Sequence, residues 1–270
     1  MAHSHEELLL KLLAALQHPQ VLLYVHIDKK SQPLFEKLDQ RGGIHLIRDR
    51  VNVQWAHISQ LQAVFASYRE IRNTGNAFSH FLVISGQDQP LQSMDKLLEF
   101  FHAHPGKSFL GYTPLSKEGW SGAMKRYRYH YYVRMEKLWR ALMMLTGIRR
   151  RFPFGLHPFG GSQWINLART HMDYVLDYWQ QHQALVNFME TVRFPEEMLF
   201  QTLLMNSPHR GDCVNDDLRY VKWVHGKSNP EILTEKDWEE IQKTPDAFFG
   251  RKFDRDQSAA LLALLENKQR

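Results

Sequence analysis

Residues 5–17 (HEELLLKLLAALQ) repeat apolar positions at helical spacing, with Leu8 and Leu12, then Leu9, Leu13 and Leu16, on one side. That period predicts an amphipathic helix. Residues 21–27 (VLLYVHI) form a compact apolar run that reads as a buried strand, closed by Asp28-Lys29-Lys30. A helix over 32–40 ends at Gly42-Gly43, and 44–48 (IHLIR) reads as a second strand. A long helix over 57–73 and a strand over 79–84 (SHFLVI) follow. That strand runs into a polar turn, Ser85-Gly86-Gln87-Asp88-Gln89-Pro90. A helix over 93–102 and a strand over 107–112 complete the regular part.

The alternation then stops. Residues 113–125 read as a loop, 125–140 are dense in Tyr and Arg, and 138–147 (LWRALMMLTG) read as an apolar helix with Arg149-Arg150-Arg151 behind it. A Pro/Gly-rich loop spans 152–161. Beyond it, strands are predicted over 162–167 and 218–223, and helices over 168–183, 195–205, 234–243 and 257–268. Pro195 opens its helix, as the first helical position favours. Thr234 caps its own, with Asp237 in an acidic variant of the capping box. Residues 247–254 (AFFGRKFD) read as extended.

Strands alternating with helices predict an α/β fold with a mostly parallel sheet flanked by helices, in a single domain. The expected division is 1–112 as a nucleotide-binding half, 113–161 as a variable acceptor region, and 162–270 as a catalytic and acceptor half. In such sheets ligands bind beyond the carboxyl ends of strands, where Asp28 and Asp88 sit. An Asp at a strand end is also an ordinary turn former.

Composition narrows the partners. The chain has 270 residues, 43% of them hydrophobic, enough for one sizeable core. A lone cysteine, Cys213, excludes an intrachain disulfide and a Cys-based zinc site, and fits a reducing compartment. The formal net charge of +5 favours an anionic partner: nucleic acid, anionic lipid or a phosphorylated substrate. No apolar run reaches the ~18 residues that span a bilayer. The first seven residues lack the layout of a signal peptide. The expected location is therefore cytoplasmic, with 138–152 resting peripherally on an anionic membrane or packing on the core.

Three places carry candidate chemistry. Glu196-Glu197 follow Pro195, where a helix start would hold a carboxylate ionised for use as a general base; Glu is also simply common at helix starts. Arg251-Lys252 lie between Phe249 and Phe253, a pattern that turns one cation inward, toward an anion such as a diphosphate. The alternative there is a solvated basic pair. Trp223, followed by His225, sits at the end of LRYVKW, positioned to stack on a sugar or to fill a core. The one D-x-D, Asp254-Arg255-Asp256, precedes the last helix, where Asp256 or Ser258 would serve as N-cap, and reads as a cap rather than a metal site. No H-E-x-x-H, P-loop, G-x-G-x-x-G or G-x-S-x-G occurs.

Seven blocks in order resemble the core-2/I-branching enzyme family of glycosyltransferases, which includes peptide O-xylosyltransferases: YVHIDKKS (24–31), VQWAHIS (53–59), LVISGQDQPLQS (82–93), GGSQWINLAR (160–169), FPEEMLFQTLLMNSP (194–208), LRYVKW (218–223) and FFGRKFD (248–254). The resemblance implies a GT-A-type fold and an inverting, metal-independent transfer of N-acetylglucosamine or xylose from a UDP-sugar, with no cofactor. It implies Glu197 as catalytic base, and Asp28 at the uracil or ribose. Asp88 would line the donor pocket, and Arg251 and Lys252 would hold the diphosphate. Trp223 falls on the acceptor side, with Trp55 and Ser59 shaping the site. Gly160-Gly161-Ser162 would form a turn letting backbone approach the sugars. The acceptor would be a glycan, a lipid-linked sugar or a protein. The chain resembles the shorter bacterial members, and the family's first strand would end near Ala2, so that strand is expected to be lost or to precede Met1. The rival readings are a basic nucleic-acid-binding protein, disfavoured by cations scattered among acids, and a catalytically inactive sugar-binding module, disfavoured by Glu197 and Arg251-Lys252.

Overall fold

The computed structural model describes residue 2 and residues 6–132, 149–224 and 229–269. The helix expected over 138–147 and His225 lie outside the described residues. The chain is α/β, in two compact units, each assembled from segments distant in sequence. One unit comprises Met1–Arg50, Val83–Pro105 and Leu218–Arg270; the other comprises Val51–Leu82 and Gly106–Asp217.

In the first unit, strands Tyr24–Val25 and His45–Leu46 pair in parallel. Ala2 adds a parallel bridge to Ile27, its N–H donating to the His26 carbonyl at 3.0 Å and its carbonyl accepting from Asp28 at 3.0 Å. Ala2, Leu9, Val25, Ile27, Leu38 and Leu46 form one apolar cluster around this pair. A second sheet centres on Phe249–Arg251, parallel to Arg219–Val221 on one side and antiparallel to Asp88–Pro90 on the other. Leu8, Leu91, Leu233, Phe253 and Leu261 pack beneath it. Helix Met94–Ala103 starts where Ser93 accepts from the Lys96 N–H at 3.4 Å, and it buries Leu97 and Phe101.

The second unit carries a four-stranded sheet in the order His80–Leu82, Asn166–Ala168, Ser108–Phe109, Cys213–Val214. Helix Ser59–Asn73 buries Leu61, Phe65 and Tyr68. Phe65 stacks on Trp179 at 5.2 Å and meets Phe200 at 5.8 Å. A short antiparallel pair, Thr113–Pro114 with Phe159–Gly160, lies in stretches that read as loops.

Pairing is mixed rather than mostly parallel, with both senses in each larger sheet. Strand Asp88–Pro90 replaces the expected turn, and no apolar alternation marks it because polar groups are buried there: Asp88 and Gln89 find partners inside the protein. The helix expected over 195–205 is a three-residue 3-10 turn, Pro195–Glu197, then a helix, Leu199–Met205, broken at Met198 (φ −135°). Thr234 and Asp237 form the expected capping box. Before the last helix neither Asp256 nor Ser258 caps in the expected way. Asp254 instead closes the turn that precedes the helix, accepting from the N–H groups of Asp256 and Gln257, both at 3.0 Å.

Gly161 is held by proximity to backbone, since a Cβ there would collide with the Gly111 carbonyl. Replacing it with Ala is therefore expected to destabilise the protein by about 1–3 kcal/mol. Gly122→Ala, at a glycine with open space around it, serves as the control. Denaturant midpoints measured on both would check this, and equal midpoints would show that the contact is soft.

Candidate functional site

In the first unit, three candidate donor residues converge through two short strands. Asp88 and Arg251 are register partners on neighbouring strands. The Arg251 guanidinium donates to Asp88 Oδ1 at 2.7 Å, and the Ser85 N–H donates to Oδ2 at 2.9 Å. Arg219 Nε lies 4.0 Å from Oδ2, and its other arm donates to the Val83 carbonyl at 2.7 Å. The side chains of Asp88 and Arg219 are fully buried, whereas Arg251 keeps 15% of its surface exposed. The inward cation therefore has an anion supplied by the protein, and Asp88 acts on Arg251 rather than facing solvent. Lys252, next along, is partly exposed and has no ion-pair partner among the described residues. Its carbonyl accepts from the Leu233 N–H at 2.8 Å.

Asp28 closes the strand Tyr24–Val25 as a largely buried carboxylate. Its Oδ1 accepts from the Lys30 N–H at 3.0 Å, and Lys30 Nζ stands 3.5 Å from Oδ2. The turn is fixed by Arg50, which the sequence did not single out. Arg50 donates to the carbonyls of Ile27, Asp28 and Lys29 at 3.0, 3.1 and 3.2 Å and to Gln32 at 2.6 Å. Its guanidinium lies 4.1 Å from the centre of the Phe35 ring. Three successive carbonyls satisfied by one planar cation leave this loop little freedom. Trp223, beyond strand Arg219–Val221, is 63% exposed, which fits a platform better than a core residue.

In the second unit, Glu197 sits in the 3-10 turn, half-buried, with its Oε2 accepting from Arg126. A helix N-terminus does not hold this carboxylate; a guanidinium does. Arg126 is in turn stacked 4.4 Å from the Trp120 ring and 4.9 Å from Phe194. Phe194 adopts a left-handed conformation (φ 56°) and meets Trp55 edge-on at 5.0 Å. Trp55 is 64% exposed. Ser59 Oγ accepts from the Gln54 N–H at 2.8 Å, shaping the turn that carries Trp55. The Glu197 carbonyl accepts from Gly161 at 2.9 Å, so the close backbone approach in the Gly160-Gly161-Ser162 turn is to the protein itself. Arg126 was legible only as part of a Tyr/Arg-rich run, because nothing local in sequence links it to position 197.

Glu196 behaves oppositely to its neighbour. It is buried, Oε2 has no hydrogen-bond partner among the described residues, and desolvation pushes its pKa up from 4.5 to about 8. The Glu197 charge adds to that rise, and Arg126 opposes it.

Among the described residues no group of three His, Cys, Asp or Glu side chains is placed to hold a metal, and none of the helices is long and apolar enough to cross a membrane. In the D-x-D, Asp254 accepts from backbone N–H groups of the turn that follows it and Asp256 pairs with Arg255 at 2.9 Å.

These features sit in a chain whose residues 1–243 match the family model described as Core-2/I-Branching enzyme. The chain belongs to the core-2/I-branching enzyme family, a family of glycosyltransferases. It is 26% identical to Xylosyltransferase oxt of Drosophila melanogaster over 95% of its own length and 31% of that protein's. It is 28% identical to Beta-glucuronosyltransferase GlcAT14B of Arabidopsis thaliana over 93% of its length and 61% of that protein's. The chain thus spans about a third of the xylosyltransferase and under two thirds of the glucuronosyltransferase. Overlap with the crystal structure of mouse xyloside xylosyltransferase 1 is slight, with a TM-score of 0.37 and 12% identity across 91% of each chain.

The protonated state of Glu196 sets a pH dependence. The folded pKa lies above the unfolded one, so the stabilising contribution is present below about 4.5 and is lost as pH rises through about 8. Glu196→Gln, which cannot ionise, is expected to flatten this fall and to melt higher than wild type above pH 8. Melting temperatures across pH 5–9 would test it; parallel curves would show that Glu196 ionises freely in the fold.

Proposed function

We propose that the chain transfers N-acetylglucosamine or xylose from a UDP-sugar to an acceptor hydroxyl, with inversion and without a metal, on the cytosolic side and in cell-surface polysaccharide or glycoconjugate synthesis. The carrying observation is the fixed guanidinium of Arg251, with Lys252 next in sequence. Asp88 aims the Arg251 guanidinium, and Lys252 beside it has no carboxylate of its own among the described residues. Negative charge grows on the leaving diphosphate, and pre-oriented cations stabilise it without reorganising. A divalent ion would supply the same charge as a Lewis acid. The two carboxylates with a metal-like spacing, Asp254 and Asp256, are engaged in a turn and an ion pair, which favours the basic residues in that role.

Asp28 would hold the uridine end, on a loop braced by Arg50. Glu197 would be the base. Arg126 occupies Oε2, and a carboxylate has about four lone-pair sites, so Oε1 stays available to the acceptor hydroxyl. The proton moves to Glu197 as the acceptor oxygen attacks the anomeric carbon opposite the departing UDP. Trp223 would stack on the acceptor sugar. The relatives named as xylosyltransferases and a β-glucuronosyltransferase fit a UDP-sugar donor.

A panel of UDP-sugars, assayed for hydrolysis and transfer with and without EDTA, tests this reading. Turnover is expected to persist in EDTA; its loss there would refute the metal-free mechanism. Glu197→Gln is expected to keep UDP affinity and lose turnover by about three orders of magnitude, and near wild-type transfer would remove Glu197 as base.

Arg50→Ala is expected to weaken UDP and uridine binding by about tenfold, the scale of charge-assisted hydrogen bonds lost from a positioned loop, while inorganic pyrophosphate binds as before. Calorimetry with all three ligands decides it. Equal losses for pyrophosphate would mean that Arg50 supports the whole fold instead.

A further inference from the structure

Three segments of the second unit are stitched side by side by backbone hydrogen bonds. Arg193 N–H donates to the Arg126 carbonyl at 3.0 Å, Arg150 N–H to the Arg128 carbonyl at 3.0 Å, and Tyr131 N–H to the Thr191 carbonyl at 2.9 Å. Residues 125–132, 149–151 and 190–197 therefore form one surface around Glu197. It carries seven cations, against carboxylates at Glu190, Glu196 and Glu197 only. Burial pushes the pKa of Glu196 up to about 8, and Glu197 already has Arg126.

Three of these cations, Arg126, Arg150 and Arg193, are held by the protein. Arg150 is clamped by the carbonyls of Thr191 and Phe188, at 3.2 and 2.9 Å, with its guanidinium 3.9 Å from the Phe188 ring centre. Desolvation lowers its pKa to about 10, and no carboxylate contributes to offset that. Arg193 lies within 5.5 Å of the rings of Trp55, Tyr131 and Phe194. Arg128, Arg149 and Arg151 have no ion pair among the described residues. Interleaved with them are the exposed rings of Trp55 (64%), Tyr132 (39%) and Trp120 (36%).

We propose that this surface receives an anionic acceptor: a saccharide bearing carboxylate, sulfate or phosphate groups, its sugar rings on the exposed aromatics and its charges on the guanidiniums around Glu197. The assignment rests on Glu197 acting on the acceptor. Aromatic faces beside fixed forks suit alternating ring and anion, because guanidinium binds planar oxyanions bidentately and rings stack on sugar faces. A membrane surface would instead call for an apolar face to insert, and the rings here are engaged face-on or edge-on by arginines and neighbouring rings. Arg149–Arg151, which the sequence suggested for headgroups, are part of the wall that carries the proposed base.

The test uses the full chain with a hexameric oligogalacturonate and a neutral glucan hexamer as probes. Further arms are an oligouridylate of equal charge and vesicles of phosphatidylglycerol in phosphatidylcholine. The paired variant Arg149→Ala with Arg151→Ala is compared with Arg41→Ala with Lys236→Ala, exposed cations of the other unit. The oligogalacturonate is expected to bind saturably, more weakly as salt is added, and the neutral hexamer not to bind. The Arg149/Arg151 pair should weaken it about three- to tenfold, as two exposed ion pairs lost would do, and leave UDP affinity unchanged. The Arg41/Lys236 pair should have no effect. Equal weakening by both pairs would reduce the effect to net charge and overturn the proposal. So would preference for the oligouridylate, Arg149/Arg151-dependent vesicle binding without saccharide binding, or equal binding of the neutral hexamer. UDP-sugar turnover without any acidic-saccharide binding would overturn this proposal alone. Absence of turnover with every UDP-sugar would overturn the transfer reading, and the acceptor role with it.

Discussion

Asp88 is a carboxylate with no access to water, placed between a register partner that is a cation and a second buried arginine. A bare charge in that position would be prohibitively costly, so its neighbours are constrained: Arg251 must reach it, the Ser85 N–H must face it, and the polar strand Asp88–Pro90 must lie antiparallel to Phe249–Arg251. Replacing the ion pair by apolar groups would serve stability as well or better, and a buried pair is weak evidence for stability. What the pair supplies is direction. It fixes one arm of Arg251, a guanidinium that keeps 15% of its surface exposed.

The same logic recurs in the second unit with the charges exchanged. There a carboxylate with functional promise, Glu197, is aimed by a guanidinium, and that guanidinium is aimed by aromatic rings. Three of the proposed active positions are braced in this way: Arg251 by Asp88, the Asp28 backbone by Arg50, and Glu197 by Arg126, itself stacked near Trp120. Support of this kind holds a side chain in a single rotamer without burying its working atoms.

How far the sequence could be read depended on whether a signal was local. The helices over Glu6–Ala15 and Ser59–Asn73 and the strands at His80–Leu82 and Arg219–Val221 follow from apolar period alone. That one of the cations Arg251-Lys252 turns inward followed from Phe249 and Phe253 on either side; that it is Arg251 came from the structure. Its counter-ion did not, because Asp88 lies 163 positions away and reads as a turn residue. Strand Asp88–Pro90 was invisible for the same reason: its burial is chosen by a partner charge, not by hydrophobicity. Arg50 and Arg126 were missed because a cation that serves distant backbone or a distant carboxylate looks in sequence like any solvated one. The assembly of each unit from separated segments likewise leaves no mark on local composition.

Glu196 and Glu197 make the general point in adjacent positions. By residue type and by local sequence they are interchangeable, and a helix start would treat them alike. The 3-10 turn and the break at Met198 send one side chain into the interior, where desolvation keeps its proton on, and the other toward Arg126, where a guanidinium supports its charge. Identical residue types one position apart are thus buried without a hydrogen-bond partner at Oε2 in one case and ion-paired in the other. Glu196 is buried while Glu197 stays partly exposed, so the buried acid contributes by staying neutral: a second ionised carboxylate at that point would compete for Arg126 and loosen the partner that orients Glu197.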